Sequence, residues 1–181
     1  MTAIHTGNTF HSPTYLQWSQ GNVPLKVSIL SPEEYPLAAQ IVKIWGAQAH
    51  QMYRHPATSP ISDQSIEYLW VANCTQKTLK KPTKDTEVHV CFHKDKPQGV
   101  ATLSLKGLQC IEEYEEEVKQ EDYLYLQDLI SNPENLFSTE NKHGQIRGAG
   151  TALIASSFQR SQELKVKGIC VDPTSRAASF L

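Results

Sequence analysis

Long apolar runs are missing from this sequence of 181 residues. None approaches the roughly 20 consecutive apolar residues that a membrane-spanning helix needs. The N-terminal stretch Met1–Gln20 is polar and lacks the apolar segment that a secretory signal requires. We therefore expect no membrane partner and a cytoplasmic location.

Paired cysteines and a dominant charge are missing too. The four cysteines lie far apart and form no C-x-x-C pair, so the sequence predicts neither a zinc site nor a disulfide framework. Widely spaced, reduced cysteines are typical of cytoplasmic proteins. With 17 basic and 19 acidic residues the net charge is −2, which creates no strong field of either sign. We therefore expect no nucleic-acid partner and no metal.

The residues that are present suffice for one compact domain. Hydrophobic residues make up 39% of the 181 residues, which supplies a core but leaves no comfortable room for a second domain. Residues 1–22 lack periodicity and carry Thr, Ser, Asn, Gly and Pro, so we predict a flexible N-terminal arm there. Residues 23–181 then form the domain.

Periodicity within the domain predicts an α+β fold, with a mixed, mostly antiparallel sheet flanked by helices. Ser31, Pro32 and Glu34 supply an N-cap, a proline in the first turn and the acidic partner of a capping box, which together indicate a helix start. The predicted elements are a strand at Val23–Leu30, helices from Ser31 to about His50 and from about Ser62 to Lys80, strands at Glu87–His93, Gln98–Lys106 and Tyr123–Ile130, a helix at Thr151–Leu164, a strand at Lys165–Val171 and the start of a helix after Asp172.

A glycine-containing loop stands between the strand that ends at Ile130 and the helix that begins at Thr151. Gly148 and Gly150 can adopt conformations that other residues avoid, and they let another group approach the backbone. The helix behind them offers unpaired amides and the positive end of its dipole, and Arg147 adds a cation. This arrangement is typical of a phosphate site, although a plain turn remains the alternative.

Neither of two common phosphate motifs accounts for this loop. The sequence has no G-x-x-x-x-G-K-[ST] loop, and Leu153 stands where the dinucleotide fingerprint would have its third glycine. The pattern Gln145-x-x-Gly148-x-Gly150 instead resembles the Q/R-x-x-G-x-G/A signature of the GNAT N-acetyltransferase superfamily.

The setting of the loop strengthens the resemblance. Asn132-Pro133-Glu134 is similar to the end of the family's fourth strand, and T-A-L-I after the loop is similar to the start of its third helix. The stretch G-I-C-V-D-P-T-S-R-A-A-S-F-L resembles the fifth strand and the opening of the last helix. The likeness covers about residues 23–181, and its specific part is residues 123–181.

The resemblance implies that the chain binds acetyl-CoA and transfers the acetyl group, by direct attack, to an amine of an unidentified small-molecule or peptide acceptor. The pyrophosphate would lie on the amides of the glycine loop, and the pantetheine would pair with the preceding strand, whose backbone would polarise the thioester carbonyl. Ser175 stands where relatives often have an asparagine that contacts the cofactor near its thiol. The implied cofactor-binding residues are Leu129, Ile130, Ser131, Gln145, Ile146, Arg147, Gly148, Ala149, Gly150, Thr151 and Ser175.

The sequence also departs from the family. The segment from Ile130 to Gln145 is longer than usual. The tyrosine that commonly protonates the departing thiolate would follow Leu181, and the rest of the last helix and the final strands are missing, so we expect an incomplete domain. A truncated gene product, a degenerate paralogue and a partner chain that completes the sheet remain open, and an exposed sheet edge favours a homodimer.

Two other functions remain open at this point. The missing portion favours a catalytically weak or inactive GNAT-like module that binds CoA or a partner. The second possibility is an unrelated α+β protein whose glycine loop is only a turn. A strand that splays away from its neighbour beside the loop would exclude the second possibility.

Transfer to an amine also needs a base. Asp128 lies on the strand beside the implied thioester and is our candidate, although an aspartate near a strand end is more often a turn or cap residue. His89 and His93 share one face of their strand, and with no third ligand spaced to join them we expect both to face solvent. Trp45 and Trp70 lie at helical spacing and are expected in the core.

Overall fold

The structure, a computed structural model, describes residues 9–53, 61–105, 123–137 and 146–171. These residues form a six-stranded sheet with helices on both faces. The strands are β1 (Thr14–Gln20), β2 (Val23–Ile29), β3 (Thr86–His93), β4 (Lys96–Ser104), β5 (Leu124–Ser131) and β6 (Ile169–Val171), and the helices are α1 (Tyr35–Tyr53), α2 (Ile61–Lys80), α3 (Pro133–Phe137) and α4 (Ala149–Glu163).

The strands follow one another in the sheet in sequence order. All neighbours are antiparallel except β5 and β6, which are parallel. This topology agrees with the predicted α+β class. Neither α1, α2 nor any other described helix combines the length and the apolar character that crossing a bilayer requires.

Strand β1 corrects the predicted N-terminal boundary. The sequence predicts a flexible arm over residues 1–22, but Thr14–Gln20 pairs antiparallel with β2. Leu16 and Trp18 alternate along this strand and pack against the same core as α4. The prediction is therefore wrong for these residues, because their alternate apolar side chains have a surface on which to pack.

Glu34 secures the segment before β1 to the start of α1. Its carboxylate accepts hydrogen bonds from the backbone N–H of His11 at 2.5 Å, of Ser12 at 3.1 Å and of Ser31 at 3.1 Å, and also from the hydroxyls of the two serines. Burial opposes ionisation, but these hydrogen bonds outweigh it and lower the pKa of Glu34 to about 2. The predicted helix start is confirmed, with Pro32–Glu34 forming a 3-10 turn before α1.

Two hydrophobic cores lie on opposite faces of the sheet: the first core under α1 and α2, and the second core under α4. Trp45 is buried in the first core, as predicted. Trp70 is 60% exposed, and its predicted core position is wrong. Helix α2 packs through its neighbouring face, which carries Tyr68 and Ala72. That face approaches α1 closely, since a Cβ on Gly46 would lie 3.7 Å from the Cβ of Ala72.

A β-bulge in β5 reverses the faces of the sheet on which the side chains of its second half lie. Two adjacent residues of β4 pair with Leu126 and Asp128, so Gln127 between them has no partner in the register of the two strands. Leu126, before the bulge, faces the second core, whereas Ile130, after it, faces the first core. The extra residue therefore moves the side chains that follow it to the opposite face of the sheet.

The last strand is shorter than the sequence predicts. Of the predicted strand Lys165–Val171 only Ile169–Val171 is a strand, because a turn that includes Lys165, at φ +56°, ends α4. The helix predicted after Asp172 lies outside the described residues. The remaining predicted elements are confirmed, with small shifts at their ends.

Candidate functional site

The candidate site lies along the part of β5 that follows its pairing with β6. Within the described residues β6 pairs with Leu124–Leu126, and β5 continues to Ser131. Beyond Leu126 the edge of β5 that faces away from β4 meets no other strand in the described part of the chain. Backbone groups along such an edge need hydrogen-bond partners, so this opening can accept an extended ligand as an added strand.

Helix α4 begins beside this opening. Its N-cap, Gly148, has φ +89°, in the left-handed region that glycine adopts readily. A helical bond runs from the N–H of Ala152 to the C=O of Gly148 at 2.8 Å. The amides of Ala149, Gly150 and Thr151 precede that bond and have no acceptor within the helix. Together with the positive end of the helix dipole, they suit this helix start to an anion.

Close packing seats the first turns of α4 on β4 and β5. A Cβ on Gly99 of β4 would lie 2.8 Å from Cδ1 of Leu153 and 3.5 Å from the Cβ of Ala149, so a larger residue would push the helix away. A Cβ on Gly150 would lie 3.6 Å from Cδ2 of Leu129, which is an ordinary contact. The start of α4 and the end of β5 are therefore neighbours.

Asn135 of α3, which the sequence analysis missed, anchors the loop before α4. Its Oδ1 accepts the N–H of Ile146 at 2.9 Å, and its Nδ2 donates to Oε1 of Gln98 on β4 at 2.9 Å. Asn132 caps α3, since its Oδ1 accepts the N–H of Glu134 at 3.0 Å. The available signal was the position of Asn135 directly after the Asn132-Pro133-Glu134 motif.

Asp128 lies just after the bulge, with its carboxylate on the face covered by α2. Its Oδ2 accepts hydrogen bonds from the hydroxyls of Thr102 at 2.8 Å and of Thr78 at 3.4 Å. Burial raises the pKa of Asp128 above its ordinary value, and the two hydroxyls oppose this shift only in part. A carboxyl group with a raised pKa is suited to proton transfer. The same hydrogen bonds also tie α2 to the sheet.

The described residues among the predicted cofactor-binding set lie on two segments, the end of β5 and the start of α4. At the end of β5 the hydroxyl of Tyr68 donates to the C=O of Ser131 at 2.8 Å, which ties the strand to α2. Arg147 and Thr151 are exposed, whereas Ile146 packs on the second core. Gln145 and Ser175 lie outside the described residues. Those at the end of β5 are Leu129, Ile130 and Ser131, and those at the start of α4 are Ile146, Arg147, Gly148, Ala149, Gly150 and Thr151.

A buried polar cluster beneath α4 overturns one prediction. His89 is expected to face solvent, but it is fully buried between β3 and α4. Its Nδ1 lies 2.8 Å from Oγ of Ser156 and its Nε2 lies 2.8 Å from Oε1 of Glu87, which also forms a bidentate ion pair with Arg160. Burial opposes ionisation of Glu87, but hydrogen bonds from His89 and Arg160 hold its pKa below the ordinary value. No group of described residues could hold a metal ion.

Comparison with protein-family models and with curated proteins gives no match. Solved structures do match. A ribosomal-protein-alanine N-acetyltransferase from Brucella melitensis biovar Abortus 2308 has a TM-score of 0.50 over 87% of this chain and 87% of its own, at 9% identity. An aminoglycoside acetyltransferase from an uncultured soil metagenomic sample has a TM-score of 0.49 over 86% and 84% at 18% identity. A GNAT family acetyltransferase from Staphylococcus aureus has a TM-score of 0.47 over 84% and 89% at 15% identity.

The chain therefore shares the fold of the Brucella N-acetyltransferase, which agrees with the fold that the sequence resemblance implied. The glycine loop leads directly into α4 beside the end of β5, which favours the resemblance over an unrelated α+β protein whose glycine loop is only a turn.

Proposed function

We propose that this chain, which has the GNAT acetyltransferase fold, is an N-acetyltransferase that moves an acetyl group from acetyl-CoA to an amine. The observation that carries the proposal is the edge of β5 beyond Leu126, which no strand of the described residues covers and which lies next to the first turn of α4. An extended pantetheine arm needs a strand edge, and a pyrophosphate needs an anion site within reach of that edge. Both features are present side by side, since Gly150 lies against Leu129.

The residues at the opening fit this cofactor. The amides of the α4 start would hold the pyrophosphate, and the exposed guanidinium of Arg147 would add a charged donor. Gly150 supports this assignment, because a Cβ there would make only an ordinary contact within the protein. Internal packing therefore does not require glycine at this position, and we attribute the glycine to close approach of a ligand. Gln145 and Ser175 are assigned to the cofactor by the resemblance alone.

The backbone of β5 and the side chain of Asp128 would have different roles in the transfer. Bound acetyl-CoA would supply the acetyl group as an activated thioester. The backbone of β5 at Leu129–Ser131 would orient the thioester and donate a hydrogen bond to its carbonyl oxygen, where negative charge develops. The amine nitrogen would form the amide bond as the C–S bond of the thioester breaks. Asp128 would accept the proton that the amine loses, directly or through water, and the departing CoA thiolate would take a proton from solvent. The raised pKa of Asp128 suits it to that role.

Titration with acetyl-CoA by calorimetry tests the cofactor site. We expect a micromolar Kd, equivalent to about 8 kcal/mol. Arg147→Glu should weaken binding at least about tenfold, because it places negative charge beside the phosphates. Lys43→Glu is the matched control, since it makes the same charge change on α1, which covers the opposite face of the sheet. No binding by the wild-type chain, or equal weakening by both variants, would contradict the proposal.

The acceptor is proposed only as a class: a small molecule or peptide with a primary amine. Release of the CoA thiol in the presence of a panel of amines tests it. The panel includes a peptide with an N-terminal alanine, because the Brucella protein is described as acting on a ribosomal-protein alanine. A chain that binds CoA but transfers to no amine would instead be a catalytically inactive CoA-binding module.

A homodimer through an exposed sheet edge and a cytoplasmic location also stay predictions. Sedimentation at two protein concentrations tests the first, and localisation of a tagged chain in cells tests the second.

A further inference from the structure

The hairpin of β1 and β2 carries Gln20 to the start of α4. Gln20 pairs with Val23 at the last position of the β1–β2 ladder. The chain then reverses through Gly21–Asn22, and Gly21 has φ +59°, a conformation that glycine supplies in two-residue hairpin turns. The ladder and the short turn together set the position of Gln20, although it lies in the region that the sequence predicts to be a flexible arm.

Gln20 packs directly on the N-cap of α4. A Cβ on Gly148 would lie 2.7 Å from the Cβ of Gln20, 2.9 Å from its Cγ and 3.2 Å from its Oε1. The aliphatic part of Gln20 thus fills the space where Gly148 lacks a side chain. Oε1 of its carboxamide lies close to the same position, so the carboxamide is next to the N-cap of α4.

Two side chains in this part of β1, Trp18 and Gln20, carry N–H groups that can donate hydrogen bonds. The Gln20 side chain is exposed, and by turning about its last torsion the carboxamide can present its N–H groups to a ligand. Trp18, two residues earlier on the same face of the strand, buries an indole N–H that has no acceptor within the described residues. An anion at the start of α4 would therefore meet a further side-chain donor on the β1 side.

We propose that Gln20 is a cofactor-binding residue whose carboxamide donates a hydrogen bond to the pyrophosphate of CoA. The hairpin tip of β1 and β2 then forms a wall of the pyrophosphate site. This inference rests on the proposed function, because it needs CoA at the start of α4.

Calorimetric titration of three ligands tests the inference: CoA, 3′-dephospho-CoA and pantetheine. Gln20→Glu keeps the shape of the side chain but places a carboxylate beside the phosphates, and it should raise the Kd of CoA and of dephospho-CoA about tenfold. Gln20→Met keeps the packing but removes the donor, and it should raise both values about threefold. The Kd of pantetheine should stay unchanged in both variants, because pantetheine has no pyrophosphate.

Gln17→Glu is the matched control. Gln17 is an exposed residue of the same strand on its other face, so the same charge change there should alter no Kd more than about twofold. Urea unfolding of each variant checks that the fold is retained.

The outcomes separate the two proposals. Wild-type affinity of Gln20→Glu for CoA would overturn the role of Gln20 while leaving the proposed function intact. Weakening confined to CoA would place Gln20 at the 3′-phosphate and overturn its assignment to the pyrophosphate. Failure of the wild-type chain to bind CoA would overturn both proposals.

Discussion

His89 of β3 and Ser156 of α4 share a hydrogen bond of 2.8 Å between Nδ1 and Oγ, and both side chains are fully buried. The bond connects the helix whose start we assign to the cofactor with the middle of the sheet. Nε2 of the same imidazole donates to Glu87, which Arg160 of α4 also contacts. The cluster therefore anchors α4 through two of its residues.

Removal of this imidazole should destabilise the fold. His89→Ala leaves a cavity and deprives Glu87 and Ser156 of a buried partner, so we expect a loss of about 3 kcal/mol in the free energy of unfolding, measured with urea. His93→Ala is the control on the same face of the strand, and its loss should stay below about 1 kcal/mol. Equal losses in the two variants would show that the cluster does not anchor α4.

Glu34 should make stability depend on pH in the acid range. Its pKa is about 2 in the folded chain against an ordinary 4.5, so its contribution is fully present above 4.5 and is lost as the pH falls toward 2. We expect Glu34→Gln to be less stable than the wild type by about 2 kcal/mol at pH 7. Unfolding curves measured between pH 7 and pH 2 should show this difference shrinking.

The adjacent carboxylate provides the control for this measurement. Glu33 is exposed, and Glu33→Gln should not reproduce the pH dependence. A difference between wild type and Glu34→Gln that stays constant down to pH 2 would rule out the ionised carboxylate as its source.

Asp128 should control the rate of transfer rather than the binding of acetyl-CoA. Asp128→Asn keeps an oxygen that can accept from Thr102 and Thr78, but it removes the base, so kcat should fall at least about 100-fold while the Kd of acetyl-CoA stays unchanged. Because its pKa is raised, the wild-type rate should climb with pH through a value above that of an ordinary aspartate. Asp95→Asn, at the β3–β4 turn, is the matched control. An unchanged kcat in Asp128→Asn would show that Asp128 is not the base and that it serves only to bond α2 to β4.

Gly150→Ala should separate ligand binding from folding. The added Cβ makes an ordinary contact with Leu129, and alanine favours a helix over glycine by up to about 1 kcal/mol, so stability should be unchanged or slightly raised. The Kd of CoA, measured by calorimetry, should nevertheless rise about tenfold or more, because the methyl group occupies space next to the phosphates. Gly46→Ala in α1 makes the same change away from the opening and should not affect the Kd. Normal CoA binding by Gly150→Ala would place the phosphates elsewhere.

Sequence reasoning succeeded where a pattern is local. The capping residues Ser31 and Glu34, the glycine loop at Gly148 and the strand that becomes β5 are each recognisable from short-range spacing, and the structure confirms the elements that they predict. The prediction for Trp70 was wrong because α2 has two candidate apolar faces. The face that packs against α1 is not the one that carries Trp70. Sequence reasoning also missed β1, although the alternation of Leu16 and Trp18 was an available signal.

The sequence by itself determined the order of the elements from β2 to β6 apart from α3, the class of the fold and the position of the glycine loop, because these depend on backbone preferences and on the spacing of apolar residues. Only the tertiary structure decided which residues surround the site. The bulge at Gln127 placed Asp128 on the α2 face, the β1–β2 hairpin placed Gln20 against Gly148, and the seating of α4 buried His89. These placements depend on which surfaces meet across the sheet, and contacts between residues far apart in the chain set them.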